Sequence, residues 1–149
     1  MNIQVNYEVS VANRGNLARL KDVFRRALKG EKLTLGFLGG SITQGSLATR
    51  PEFCYAYRVY QWWRETFPRA EFTYVNAGIG ATDSQFGCAR ADSDLLAWGP
   101  DFCIIEFSVN DASNGHFLET YEGLVRKGHC FGAWGKEKAP GGNPADGNP

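Results

Sequence analysis

The sequence has no surplus of charge of either sign: 16 Lys and Arg balance 16 Asp and Glu. A balanced chain projects no field that would draw a polyanion, so neither nucleic acid nor an anionic membrane surface is an expected partner. It also lacks any run approaching the roughly 18 apolar residues that span a bilayer. Met1-Asn2-Ile3-Gln4-Val5-Asn6 has neither the basic nor the apolar region of a secretion signal. A cytoplasmic protein is the expectation. Cysteine is scarce and scattered: Cys54, Cys88, Cys103 and Cys130 include no CxxC pair. That spacing suits neither a zinc site nor a disulfide scaffold and predicts reduced thiols. No P-loop and no GxGxxG follows any predicted strand, so no nucleotide cofactor is expected.

What is present suffices for one globular domain. The 149 residues are 43% hydrophobic and 13% aromatic, enough for a real core and too few residues for two domains. Ile3, Val5, Tyr7 and Val9 alternate with polar residues and predict an edge strand or ribbon. Leu17, Leu20, Val23, Phe24, Ala27 and Leu28 recur at helical steps, with Gly30 as a stop. Lys21, Arg25, Arg26 and Lys29 fall between them and read as that helix's solvated face.

The apolar run Leu33–Leu38 then predicts a strand buried on both sides, ending in Gly39-Gly40-Ser41. An aromatic-rich helix is expected from Cys54 to Phe67, a second strand from Phe72 to Val75, and a helix from Asp83 to Trp98. A third strand is expected from Phe102 to Val109, and a last helix from Phe117 to about Lys127. Strands alternating with helices imply a parallel sheet in a three-layer α/β/α sandwich. From residue 128 to 149 the composition shifts, with six of the 18 glycines and three of the six prolines and no apolar period. That segment is expected to be a disordered tail after a domain spanning 1–127. The shift falls where a further strand should begin, so the sheet is expected to be incomplete at its C-terminal side, as in a disrupted reading frame. The third strand would then present an apolar edge open to self-association.

Three turns, after Leu38, Val75 and Val109, fall at the carboxyl ends of these strands, where open α/β sheets bind ligands. Ser41 follows a glycine turn that would project its hydroxyl from the sheet edge. Gly78, without a side chain, lets its N–H approach a ligand, and Asn110 offers an amide donor. With the Ser41 N–H these make three donors converging near a hydroxyl. Acyl transfer needs that arrangement, because its tetrahedral intermediate places negative charge on oxygen.

These residues resemble the conserved blocks of the SGNH (GDSL-like) hydrolases, in a GGSIT-type variant. Gly39-Gly40-Ser41-Ile42-Thr43-Gln44-Gly45 resembles the first block, Asn76-Ala77-Gly78 the second, and Val109-Asn110-Asp111 the third. The resemblance spans roughly residues 33 to 127. It implies a flavodoxin-like SGNH fold and hydrolysis of small esters or acetylated carbohydrates through an acyl-serine, without metal or organic cofactor. Ser41 would be the nucleophile, and Gly78 and Asn110 the oxyanion donors. Two departures stand out. Gly40 replaces the usual Asp, and no Asp-x-x-His supplies the family's base: His129 follows Arg126, not an acid. Loss of the base is expected to cost on the order of 10⁶ in turnover, which leaves a non-catalytic remnant that binds acyl or sugar ligands as the alternative.

Other residues carry secondary expectations. His116 could substitute as base, though a surface-loop role is the commoner one. Glu106, inside an apolar strand, is expected to pair with Arg90. Tyr55, Tyr57, Tyr60, Trp62 and Trp63 are expected to be core and not a sugar platform.

Overall fold

The computed structural model describes residues 15–113 and 115–133, and its sheet is built around the apolar run of the first strand. β1 (Lys32–Gly39) is flanked by β2 (Glu71–Gly78) and β3 (Phe102–Glu106), both parallel to it, in the order β2-β1-β3. That order is the start of a flavodoxin-like sheet, whose ligand crevice opens between the first and third strands. The register aligns Gly39 with Gly78 on one side and with Glu106 on the other, so the three strands end together.

Alternation along β1 sorts the molecule into two sides. Leu33, Leu35 and Phe37 face α1 (Ala18–Leu28) and α3 (Tyr55–Thr66), joined there by Val23, Ala27, Ala56, Trp63 and Phe67. Leu38 faces the other way with Val75, Ala77 and Phe107, against Ala91 of α4 (Ser84–Asp94) and Leu124 of α6 (Phe117–Ala133). The result is the expected three-layer sandwich. Most of the aromatic helix is core as read from its spacing, with Trp63 fully buried. Trp62 instead stands half exposed.

Several boundaries differ from the sequence expectations. β3 stops at Glu106 and does not reach Val109. The Ser108 N–H donates to the Glu106 carboxylate and the Phe107 N–H to the Tyr121 hydroxyl, so the backbone leaves the ladder and forms the single turn α5 (Ser108–Asp111). α4 is shorter than its apolar spacing suggested and is followed by a 3₁₀ turn over Leu96–Trp98. Asp83 caps α4 by accepting from the Phe86 N–H at 2.9 Å. The last helix runs on past Lys127 to Ala133. Arg26 is not on a solvated face: it bridges Glu31 and Asp101, and Asp101 also accepts the Thr34 N–H. The expected strand at Ile3–Val9 and the chain beyond Ala133 lie outside the described residues. Among the described residues Cys54, Cys88 and Cys103 are free thiols. No helix among them is long and apolar enough to cross a membrane.

Candidate active site

β1 delivers Ser41 to the carboxyl edge of the sheet. After Gly39 the chain turns at Gly40, whose N–H donates to the Glu106 carbonyl at 3.3 Å, and Ser41 opens the single turn α2 (Ser41–Gln44). A first-turn N–H has no intrahelical acceptor, and among the described residues none accepts from the Ser41 N–H. The Ser41 hydroxyl likewise has no hydrogen-bond partner among them. Ser41 lines a shallow depression with Gly40, Ile42, Glu106, Phe107, Val109 and Asn110. Ile42 and Val109 stand exposed there, as apolar shoulders beside the hydroxyl.

Asn110 arrives on α5, immediately beyond β3. Its amide Nδ2 donates to the Thr82 carbonyl at 2.6 Å, which leaves one N–H of the amide for a ligand. Gly40 makes this approach possible. A Cβ at Gly40 would sit 2.9 Å from Asn110 Nδ2 and 3.2 Å from the Thr82 carbonyl oxygen. The first and third blocks are therefore in close contact at this position.

Gly78 closes β2 at the carboxyl edge, level with Gly39 of β1. Its N–H already donates to Asn76 Oδ1 at 2.9 Å. A Cβ there would meet Gln44 N at 2.2 Å and the Thr43 carbonyl carbon at 2.6 Å. The glycine is thus accounted for by the close approach of α2, which is further held by the Asn76 amide donating to the Thr43 carbonyl at 2.8 Å. The segment that passes the nucleophile is the next one: a Cβ built on Gly80 lies 3.9 Å from Ser41 Cβ. Ala81 follows with φ +59°, a left-handed conformation unusual for a side-chain-bearing residue. Sequence reading missed this loop because the Gly80-Ala81-Thr82 run has no hydrophobic period.

The remaining candidates separate from the site. Glu106 does not pair with Arg90. Its Oε1 accepts from the Ser108 N–H and hydroxyl, while Arg90 donates to the backbone carbonyls of Ala77 and Gly39 and to Asp94. Backbone acceptors at the strand ends outcompete the expected carboxylate. That ion pair and its neighbour Ser93 hold Asp94 below the usual carboxylate range, with the Ser93 hydroxyl the larger cause. His116 is exposed at the start of α6 and makes no hydrogen bond to Ser41. Asp111 is buried and accepts the Ser84 N–H at 2.8 Å, which ties the third block to the start of α4. Behind the nucleophile, buried Thr43 is hydrogen-bonded to the Tyr55 hydroxyl at 2.9 Å, and burial pushes that phenol's pKa up. Among the described residues no group of three His, Cys, Asp or Glu side chains is assembled as a metal site. A larger groove, lined by Tyr60, Arg64, Pro68 and Phe72, lies at the opposite end of β2 and shares no residue with this edge.

Comparison by sequence alone finds no matching family model and no matching curated protein. Comparison of structures does find relatives. The chain is similar to a two-domain esterase (CEX) active on acetylated mannans, co-crystallised with mannopentaose, at 66% identity and a TM-score of 0.82. The match covers 85% of this chain and 34% of that one, so the chain spans about a third of that esterase's length. TesA (24% identity, TM-score 0.58) and an acetylxylan esterase from Geobacillus stearothermophilus (24%, 0.56) share the fold over 66% of this chain. Each is matched over little more than half of its own length, 56% and 55% respectively.

Proposed function

We propose that this chain, which belongs to the SGNH hydrolase superfamily, carries the nucleophile and oxyanion donors of a serine esterase acting on small esters or acetylated carbohydrates. The observation that carries the reading is the meeting of Ser41, with an unclaimed N–H and hydroxyl, and the Asn110 amide at the aligned ends of β1 and β3. The 66% identity to an esterase active on acetylated mannans supports an acetylated sugar as substrate.

In this reading Ser41 Oγ attacks the ester carbonyl, an Oγ–C bond forms, and the carbonyl oxygen takes the negative charge. The Ser41 N–H and the free Asn110 N–H receive that oxygen. A third donor comes from the Gly80 segment and not from Gly78, whose N–H is already given to Asn76. Collapse breaks the carbon–oxygen bond to the sugar, whose alkoxide takes up the proton that Ser41 Oγ gave to solvent on attack, and water then cleaves the acyl-serine to the free acid and restores the Ser41 hydroxyl. Each oxyanion donor of this kind is worth about 10²–10³ in rate.

A second reading is favoured by one observation: among the described residues no base is hydrogen-bonded to the Ser41 hydroxyl. On that reading the same edge binds acylated ligands without turning them over. The two are separated by p-nitrophenyl acetate hydrolysis beside Ser41→Ala, with fluorophosphonate labelling of the serine. Serine-dependent turnover with labelling supports the esterase; identical rates in the two proteins and no labelling overturn it. Self-association through the outer edge of β3 is part of the proposal, since its five residues are all only half buried. Light scattering that shows a strictly monomeric chain counts against it.

A further inference from the structure

We infer that Arg90 is a positioning residue for this site, an inference that rests on the esterase reading above: its guanidinium sets the spacing between the Ser41 turn and the loop at 79–82. Arg90 projects from α4 toward the strand ends and is buried. One terminal nitrogen donates to the Ala77 carbonyl at 2.6 Å and the other to the Gly39 carbonyl at 3.2 Å. The first also meets Asp94 Oδ2 at 3.1 Å, and the Phe86 ring lies 5.7 Å from the guanidinium carbon.

The two carbonyls belong to different strands and stand directly before the two pieces of the site. Gly39 precedes Gly40-Ser41, and Ala77 precedes the segment that carries Gly80 past Ser41. Gly39 O also accepts the Ile79 N–H at 3.0 Å, so the same oxygen is shared between the sheet ladder's last bond and the guanidinium. A planar fork with fixed nitrogen separation can hold two such oxygens at one distance, which an ammonium on a flexible stem does not.

Packing alone does not require this residue. α4 is already seated by Ala91, by Leu95 at its end, and by Gly87, whose missing side chain admits the Phe107 ring. A buried guanidinium is a costly way to glue a helix, since apolar residues of similar volume do so as well or better. Here its Nε is left buried with no acceptor among the described residues. The cost is intelligible if the fork's product is geometry: nucleophile and oxyanion loop kept apart by a fixed distance. Displacement of about 1 Å in such a constellation costs about 10²-fold in rate.

The test compares the chain with Arg90→Lys and Arg90→Met, using amide hydrogen exchange, thermal melting and p-nitrophenyl acetate kinetics. The expected result is exchange accelerated about tenfold or more at residues 40–45 and 79–82, with β1 and α3 unchanged and the melting transition retained. Turnover falls about 10- to 100-fold in kcat with KM within about twofold of its original value. If Arg90→Lys does not fold, Asp94→Asn, which frees the fork from one side only, should show a smaller shift at the same residues. Unchanged exchange at those residues, or acceleration spread evenly through α1, α3 and α4, would overturn the inference and leave Arg90 as helix glue. A wild-type chain with no turnover would sink the esterase reading instead, while the exchange pattern would still decide the role of Arg90.

Discussion

The two faces of the sheet are made of different materials. Against α1 and α3 lies an aromatic core in which Trp63 touches Phe24, Phe67, Phe72 and Phe102 at ring separations of 5.1 to 5.8 Å. Against α4 and α6 lie aliphatic side chains and Phe107, threaded by the buried polar groups Ser84, Arg90 and Asp111. Large apolar rings supply free energy without direction. Buried hydrogen-bonded groups supply direction at little net gain. The first face therefore stabilises the fold, and the second aims the strand ends that hold the site.

The strongest way to break that contrast is to empty the first face. Trp63, 1% exposed, replaced by Ala should cost about 3–5 kcal/mol, read as a lowered urea midpoint. A cost below about 1 kcal/mol would mean that the aromatic face is not the main source of stability. The next effect in size sits at the junction of α2 and β2. Gly78→Ala should cost about 1–3 kcal/mol, because its Cβ would meet backbone atoms of α2 that have nowhere to go. It should also displace Ser41 and reduce fluorophosphonate labelling. Gly80→Ala serves as the contrast: its Cβ would meet the tip of the Gln44 side chain, which can swing aside. Its stability should change by less than half as much.

A smaller effect is expected where the second face is polar. Asp111 gives one oxygen to the Ser84 N–H, and its other oxygen is buried without a partner among the described residues. Asp111→Asn weakens the Ser84 bond but relieves the desolvated charge, so the net change should stay within about 1 kcal/mol. Asp111→Ala leaves the Ser84 N–H unsatisfied and should cost about 1–3 kcal/mol. Equal costs for the two variants in denaturant melts would show that the hydrogen bond at this position contributes nothing directional.

Much of the first face was legible in the sequence, and less of the second. The run Leu33–Leu38, the helical steps from Leu17 to Leu28 and the aromatic spacing around Trp63 each bury side chains, and burial writes a period into the sequence. Ser41 and Asn110 were legible because each follows an apolar run that stops. The early end of β3 was not, since it depends on the Glu106 carboxylate and the Tyr121 hydroxyl taking N–H groups that would otherwise continue the ladder. Two of the three partners of Arg90 were also hidden, because they are backbone carbonyls and leave no trace in residue type. Gly78 shows the same limit: a glycine required by a neighbouring helix and one required by a ligand are spelled alike.

Cys103 offers the finest probe of whether the two faces open together. It packs on the α4 and α6 side, where burial pushes its thiol pKa up to about 12, with the Asp101 charge adding to the shift. The thiolate is the reactive species. Against an ordinary value of 9.0, a shift of that size leaves about a thousandfold less thiolate at pH 8. Alkylation of Cys103 by iodoacetamide in the folded chain should therefore be slow, and should rise about tenfold per pH unit while the fold holds. Peptide mass spectrometry distinguishes it from the other thiols. In Trp63→Ala the rate at Cys103 should increase by the same factor as the unfolded population, because losing the aromatic face releases the polar one. An increase that lags far behind would mean that the α4 and α6 face keeps its structure when the other is weakened. The division of labour between the faces would then extend to stability as well as aim.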